Sequence, residues 1–276
     1  MIERQLGLAM VFVLATTSTL LAQQSRKEPR WVNPYEGSFP GLKHHVLDSK
    51  SVGQGVGYVV WTPPDYDAED DVRYPVVYFL HGAGGSETSD AEGFAHRILT
   101  QIEKKKFPPV ICVFPNGVRS GYRGEVESMI VSELIPLIDN NYATQSNASG
   151  RAIAGFSMGG AGSVRLSILH PELFCGAGSW GGALSWRGNP EESPLLPAAE
   201  KAAEELKSNN FSLLTINGDK DHPDGFAPLK RVLNSAGIPH EVVTLPDTNH
   251  NLGKYYTLSS ETMLDFLASC LDRKQE

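Results

Sequence analysis

"RAIAGFSMGGAGSVRLSIL", residues 151–169, decides how this chain is read. Ala152 to Phe156 is a short apolar run of strand character. Ala161 to Leu169 reads as a helix. Between them Ser157 is flanked by Gly155 and Gly159. Glycines at a strand-to-helix junction serve simple turn chemistry in many proteins. The pattern G-x-S-x-G in this context has a second meaning, a serine nucleophile exposed on a sharp turn. Such a turn needs small neighbours, because side chains at Gly155 and Gly159 would collide with the adjacent strand and helix. The helix that follows points the positive end of its dipole at the serine, which favours negative charge on a reacting oxygen.

Outward from this stretch the chain alternates strands and helices. Pro75–Leu80, Val110–Phe114, Ala152–Phe156, Cys175–Trp180, Phe211–Ile216 and Glu241–Leu245 are short apolar runs, expected of strands buried on both faces. Two further strand candidates lie near His45–Leu47 and Gly57–Trp61, before the turn that Pro63 and Pro64 force. Helix-like periodicity covers Ser128–Asn140, and helices are also expected over Pro197–Leu206, Ala227–Ala236 and Thr262–Leu271. The alternation predicts a mostly parallel sheet flanked by helices on both faces. Ligands of such sheets sit at the carboxyl ends of the strands.

The 276 residues are 41% hydrophobic, enough for one sizeable core. The formal charge of -8 argues against nucleic acid and anionic membranes as partners. Leu6–Ala15 is apolar but short for a bilayer. With Ala22 as a small residue before a cleavage point, residues 1–22 read as a secretory signal, which places the mature chain outside the cytoplasm, secreted or periplasmic. Residues 23–42 read as a linker or N-terminal extension, and 43–276 as a single domain. The three cysteines, Cys112, Cys175 and Cys270, are too few and too widely spaced for a zinc site. Cys112 and Cys175 lie in apolar runs and are expected as core thiols, although one disulfide is compatible with export.

Three more signals fall where the sheet needs them. "LHGAGGSE", residues 80–87, follows the Pro75–Leu80 strand. Its backbone can aim N–H groups into a cleft, with Ala83 the first candidate donor and Gly84 the second. Together with the N–H of Met158 they would form an oxyanion hole. His81 is expected to brace this loop rather than react. "INGDKDHPDG", residues 216–225, offers Asp219, Asp221 and Asp224 as carboxylates that could orient a histidine. "PDTNHNLG", residues 246–253, carries His250 past the last strand, the best placed of eight histidines to act as a base. The order Ser, Asp, His matches one known arrangement of such triads.

The chain resembles the esterase D and feruloyl/acetylxylan esterase branch of the α/β-hydrolases from about Gly57 onward. The segments that carry the resemblance are "VVWTPPDYD", "YPVVYFLHGAGGSE", "VICVFPNG", "ELIPLIDNNY", "RAIAGFSMGGAGSVRLSILHPELF", "INGDKD" and "TNHN". "AIAGFSMGG" is the most specific of them. In that branch the acid ends a Gly-x-x-Asp element, here Gly218 to Asp221, which selects Asp221. Asn249 stands where a glycine usually precedes the base, and His222 follows the acid in place of a longer apolar residue. The resemblance implies an α/β-hydrolase fold and hydrolysis of carboxylic esters without metal or organic cofactor. It implies a catalytic triad of Ser157, His250 and Asp221, and small-molecule or polysaccharide-linked feruloyl or acetyl esters as substrates. Trp180 and Trp186 border the loop "WGGALSW", where either ring could stack on a sugar or phenol. The same triad would also serve acyl transfer or the hydrolysis of thioesters or peptides, and a non-catalytic binding module is the reading from another class.

Overall fold

A computed structural model describes residues 30–185 and 188–272. The signal reading of residues 1–22 and the role considered for Trp186 lie outside the described residues. Among the described residues eight strands form one sheet: β1 Leu42–Ser49, β2 Gln54–Trp61, β3 Val76–Leu80, β4 Ile111–Pro115, β5 Arg151–Phe156, β6 Gly176–Trp180, β7 Ser212–Gly218 and β8 His240–Leu245. Their order is β1-β2-β4-β3-β5-β6-β7-β8. β1 pairs antiparallel with β2, and β2 with β4. All other pairings are parallel. This is the α/β-hydrolase arrangement, and the parallel strands deliver their carboxyl ends to one edge.

All five residues of β3 are buried because helices cover both faces of the sheet. Side chains alternate along the strand. Val76, Tyr78 and Leu80 enter one apolar cluster, with Met129, Ile130, Val164 and Leu229 from the helices on that side. Those helices are α2 Glu125–Ser128 with its continuation through a π-helical stretch, Met129–Leu134, into α3 Ile135–Asn141; α4 Met158–Leu169; α5 Leu195–Ser208; and α6 Ala227–Ala236. Val77 and Phe79 enter the other cluster, with residues of α1, Ala91–Glu103, and α7, Leu252–Leu271. α7 lies so near β6 that a Cβ on Gly178 would meet the Met263 sulfur, and one on Gly176 the Cys270 sulfur. Cys112, Cys175 and Cys270 are all buried.

α7 begins ten residues before the helix expected at Thr262, with the Asn251 side chain accepting from the Lys254 N–H as its cap. Its backbone breaks helical geometry at Ser259, φ -144°, ψ 15°. The described part of the linker stretch is held against the domain. The Trp31 carbonyl accepts from Gly57 N–H at 2.7 Å, and the Arg30 carbonyl from Asn116 Nδ2 at 3.0 Å.

Asp90 stands at the N-cap position before α1, and its side chain makes no capping bond. Burial pushes its carboxyl up to about 6. A carboxyl whose folded value lies above its unfolded one favours folding while protonated, and that contribution is lost as pH rises through about 6. Asp90→Asn should therefore raise the melting temperature at pH 8, by an amount on the order of 2 kcal/mol in stability, and change it little at pH 4. Thermal unfolding of both proteins at the two pH values checks this. An equal shift at both would refute the assignment.

Candidate active site

Ser157 joins β5 to α4 in a backbone conformation that L-residues avoid, φ 58° and ψ -117°. The glycines around it are there for space. A Cβ on Gly155 would lie 2.5 Å from the Gly159 carbonyl carbon, and one on Gly159 would run into the Leu80 carbonyl. Gly160 in turn abuts Ser179 and the Trp180 carbonyl. The Ser157 N–H donates to that same Trp180 carbonyl at 2.8 Å, so β6 pins the turn. Met158 is the first residue of α4, and its N–H has no intrahelical acceptor by position.

The loop after β3 passes directly beside this turn. A Cβ on Gly82 would sit 3.5 Å from Ser157 Cβ. Gly82 to Gly85 close a turn through Gly85 N–H to the Gly82 carbonyl at 3.0 Å. Gly84 has φ 93°, which the third position of a type II turn requires. Ala83 is exposed at the second position. His81 braces the loop as expected. Its Nε2 accepts from Gly117 N–H at 2.9 Å, so Nδ1 carries the proton and donates to the Gly82 carbonyl at 2.8 Å. Burial holds its pKa below the usual histidine value, which keeps the ring neutral.

The structure brings Ser157, His250 and Asp221 together. Ser157 Oγ lies 2.7 Å from His250 Nε2. His250 Nδ1 lies 2.8 and 2.9 Å from the two oxygens of Asp221. An ionised carboxylate only accepts, so Nδ1 bears the proton and Nε2 is left to receive one from the serine. The Phe156 ring stacks on the imidazole with centroids 4.8 Å apart. Asp221 is buried. Of the other two carboxylates, Asp219 faces outward and accepts from the N–H groups of Asp247 and Thr248, each at 3.0 Å. Those bonds shape the loop that carries His250 and hold the Asp219 carboxyl below its usual pKa. Asp224 is exposed on the same loop as the acid.

The stacking role considered for Trp180 is corrected. Its side chain is 0% exposed, between Phe79 and Tyr256. Its Nε1 donates to Ser259 Oγ at 3.0 Å. A ring enclosed on every side presents no face to a ligand.

Several residues of the site have no sequence signal. Tyr255 donates to Asp221 Oδ2 at 2.6 Å and accepts from Gly218 N–H at 2.8 Å. Asn217 Nδ2 bonds the Gly182 and Asp221 carbonyls. Glu87 is buried and accepts from the backbone and side chain of Asn33 and from Asn116 Nδ2, with His44 Nε2 3.2 Å away. It ties the loop after β3 to β1, to the β4 loop and to the N-terminal stretch.

Comparison with known proteins shows the family. The sequence pattern of the family described as "Putative esterase" matches residues 49–216. The chain belongs to this family of esterases. The matched stretch includes Ser157 and ends before Asp221 and His250. A curated protein of Xylanibacter ruminicola, named endo-1,4-beta-xylanase/feruloyl esterase, is 31% identical over 191 residues, 64% of this chain and 24% of that protein. An esterase of Mycobacterium tuberculosis is 31% identical over 158 residues, 54% of this chain and 34% of that protein. The match thus spans from 24% to 34% of these relatives' length. The same fold is found in a ferulic acid esterase, at TM-score 0.71 and 20% identity over 83% of this chain and 98% of that one. It is found also in an S-formylglutathione hydrolase from Agrobacterium tumefaciens, at TM-score 0.64 and 18% identity over 88% and 99%.

Trp180→Ala should cost about 3–5 kcal/mol in stability through the cavity it leaves, and leave the ratio of acetyl to aryl ester hydrolysis within twofold of the parent protein. Thermal unfolding and paired ester assays below the variant's melting temperature measure both. A changed ratio with unchanged stability would restore the ligand role.

Proposed function

We propose that the protein is a serine esterase that acts through Ser157, His250 and Asp221 on carboxylic esters, with feruloyl or acetyl esters of carbohydrates as its substrates. The observation that carries this reading is the unbroken hydrogen-bonded line from Ser157 Oγ through the imidazole to the buried Asp221 carboxylate. The esterase family match and the relative named a feruloyl esterase support it.

The chemistry then runs in two steps. His250 Nε2 takes the hydroxyl proton as Ser157 Oγ attacks the ester carbonyl. Asp221 and the face of Phe156 stabilise the imidazolium. The N–H groups of Met158 and Ala83 receive the oxyanion, and such a donor is worth roughly 3–4 kcal/mol. The alcohol leaves with the proton from Nε2, and the acyl group stays on Ser157. Water, deprotonated by the same imidazole, releases the acid and restores the serine. The reading of residues 1–22 as an export signal fits a substrate met outside the cell.

Ser157→Ala should lower kcat on p-nitrophenyl acetate by at least about 10⁴-fold, and should abolish fluorophosphonate labelling. Activity that survives the substitution would sink the proposal. A panel of methyl ferulate, acetylated xylan and a thioester then ranks the acyl and leaving groups. Turnover of the thioester alone would replace the carbohydrate-ester assignment.

A further inference from the structure

Asp221 is the most enclosed member of the line, with its side chain only 2% exposed. A buried carboxylate requires donors on its lone pairs. His250 supplies one, and it is the group whose proton affinity the reaction uses. The other is the phenol of Tyr255, 2.6 Å from Oδ2. That hydroxyl is held from its far side as well, because the Gly218 N–H donates to it at 2.8 Å. With its lone pair occupied by Gly218, the hydroxyl proton has one direction left, toward Asp221. Tyr255 is 0% exposed, and burial together with the neighbouring carboxylate raises its phenol far above the ordinary tyrosine value, so it remains a donor across the working range.

The ring is placed by a second set of contacts. It packs edge-on against Phe156, the residue before the serine, with centroids 5.6 Å apart. The Tyr255 carbonyl is claimed by Ser259 Oγ at 2.8 Å, at the point where α7 departs from helical geometry. Ser259 Oγ in turn accepts from Trp180 Nε1. Gly181, with φ 56°, passes close enough that a Cβ there would be 2.9 Å from Asp221 Oδ2 and 3.2 Å from the phenol oxygen. A buried chain therefore runs from the end of β6 through α7 to the carboxylate.

We propose that Tyr255 is a positioning residue, whose hydroxyl fixes the rotamer of Asp221 and limits how much of the carboxylate's charge His250 receives. This rests on the triad reading above. A carboxylate shared between two donors holds an imidazolium less tightly than one with a single donor. Removing the phenol hydroxyl thus leaves His250 more basic, and the neutral form that accepts the serine proton is populated only at higher pH. The other charged and titratable groups on the segments that carry the pair are Asp219, Lys220, His222 and Asp224 on the β7–α6 loop, Asp247 on the β8–α7 loop and Lys254 on α7, with the neutral His81 on the loop after β3. All remain in the variant, so their contributions cancel in the comparison.

The test is the pH dependence of kcat and kcat/KM on p-nitrophenyl acetate for the parent protein, Tyr255→Phe, Asp221→Asn and the double variant, with melting temperatures for each. Tyr255→Phe should lower kcat roughly five- to twentyfold with KM within twofold, and move the acid limb of kcat/KM upward by about half a pH unit. On the Asp221→Asn background the same change should have no further effect on kcat. An unmoved acid limb in a folded Tyr255→Phe would overturn the proposal, as would a full additional loss in the double variant. Should Tyr255→Phe fail to fold, 3-fluorotyrosine placed at position 255 decides instead, because its more acidic hydroxyl donates more strongly to Asp221: a downward shift of the acid limb supports the proposal and an unmoved limb overturns it. The triad reading fails separately, by Ser157→Ala retaining parental turnover.

Discussion

The Leu80 carbonyl occupies the space in which any side chain at position 159 would lie. Much of the site depends on that contact. β3 and β5 are hydrogen-bonded neighbours in register from Val76↔Arg151 to Leu80↔Gly155. The chain leaving β5 must therefore turn at once, over the end of β3, to begin α4. Ser157 takes the positive φ that this turn demands, and that strain is held by the sheet bond to Trp180 and by the first turn of α4. The same proximity lays the Gly82–Gly85 turn alongside Ser157, so the proposed nucleophile and the candidate oxyanion donors are set by one backbone approach. Rigidity here comes from main chain against main chain, which requires the smallest residues.

On the other side of the serine the constraint is electrostatic. Asp221 gives up water, and the groups that replace it determine how the imidazole behaves. His250, by contrast, is 40% exposed at its side chain. For the proposed triad, an exposed base with a buried orienting acid is a sensible division. The ring can exchange protons with substrate and water, while the charge that steadies it is screened little. The loop bearing His250 would have freedom of its own, but Asp219 holds two of its N–H groups from outside. Asp219, which stands outside the proposed triad, thus shapes the backbone that carries His250.

Much of the fold was legible because its signals are local. Strands such as Val76–Leu80 are continuous apolar runs, and Ala227–Ala236 appears with the bounds expected of it. The G-x-S-x-G turn, the glycine loop after β3 and His250 after β8 could be placed because each comes directly after a strand. α1 passed unnoticed, although Phe94, Ala95 and Ile98 carry helical spacing. The first half of α7 was harder to see. Gly253, two tyrosines and the break at Ser259 interrupt its apolar period. Trp180 was misplaced for a physical reason. A tryptophan at the carboxyl end of a strand is adjacent to the site in sequence, but side chains alternate, and this one points into the layer between the sheet and α7.

The partners that sequence could not disclose are those that meet from far along the chain. Tyr255 reaches Asp221 across 34 residues, and Asn33 reaches Glu87 across 54. Neither tyrosine nor asparagine has a pattern around it that announces such a bond. The Glu87 carboxylate is buried beside the loop that bears Ala83, and its donors include Asn33, from the stretch that composition alone presents as a linker. Removing those donors would leave a buried charge short of partners, which is costly. The loop after β3 is thus stabilised by residues outside the compact run of strands and helices, and the described chain is already tied to the β4 loop at Arg30, whose carbonyl accepts from Asn116 Nδ2.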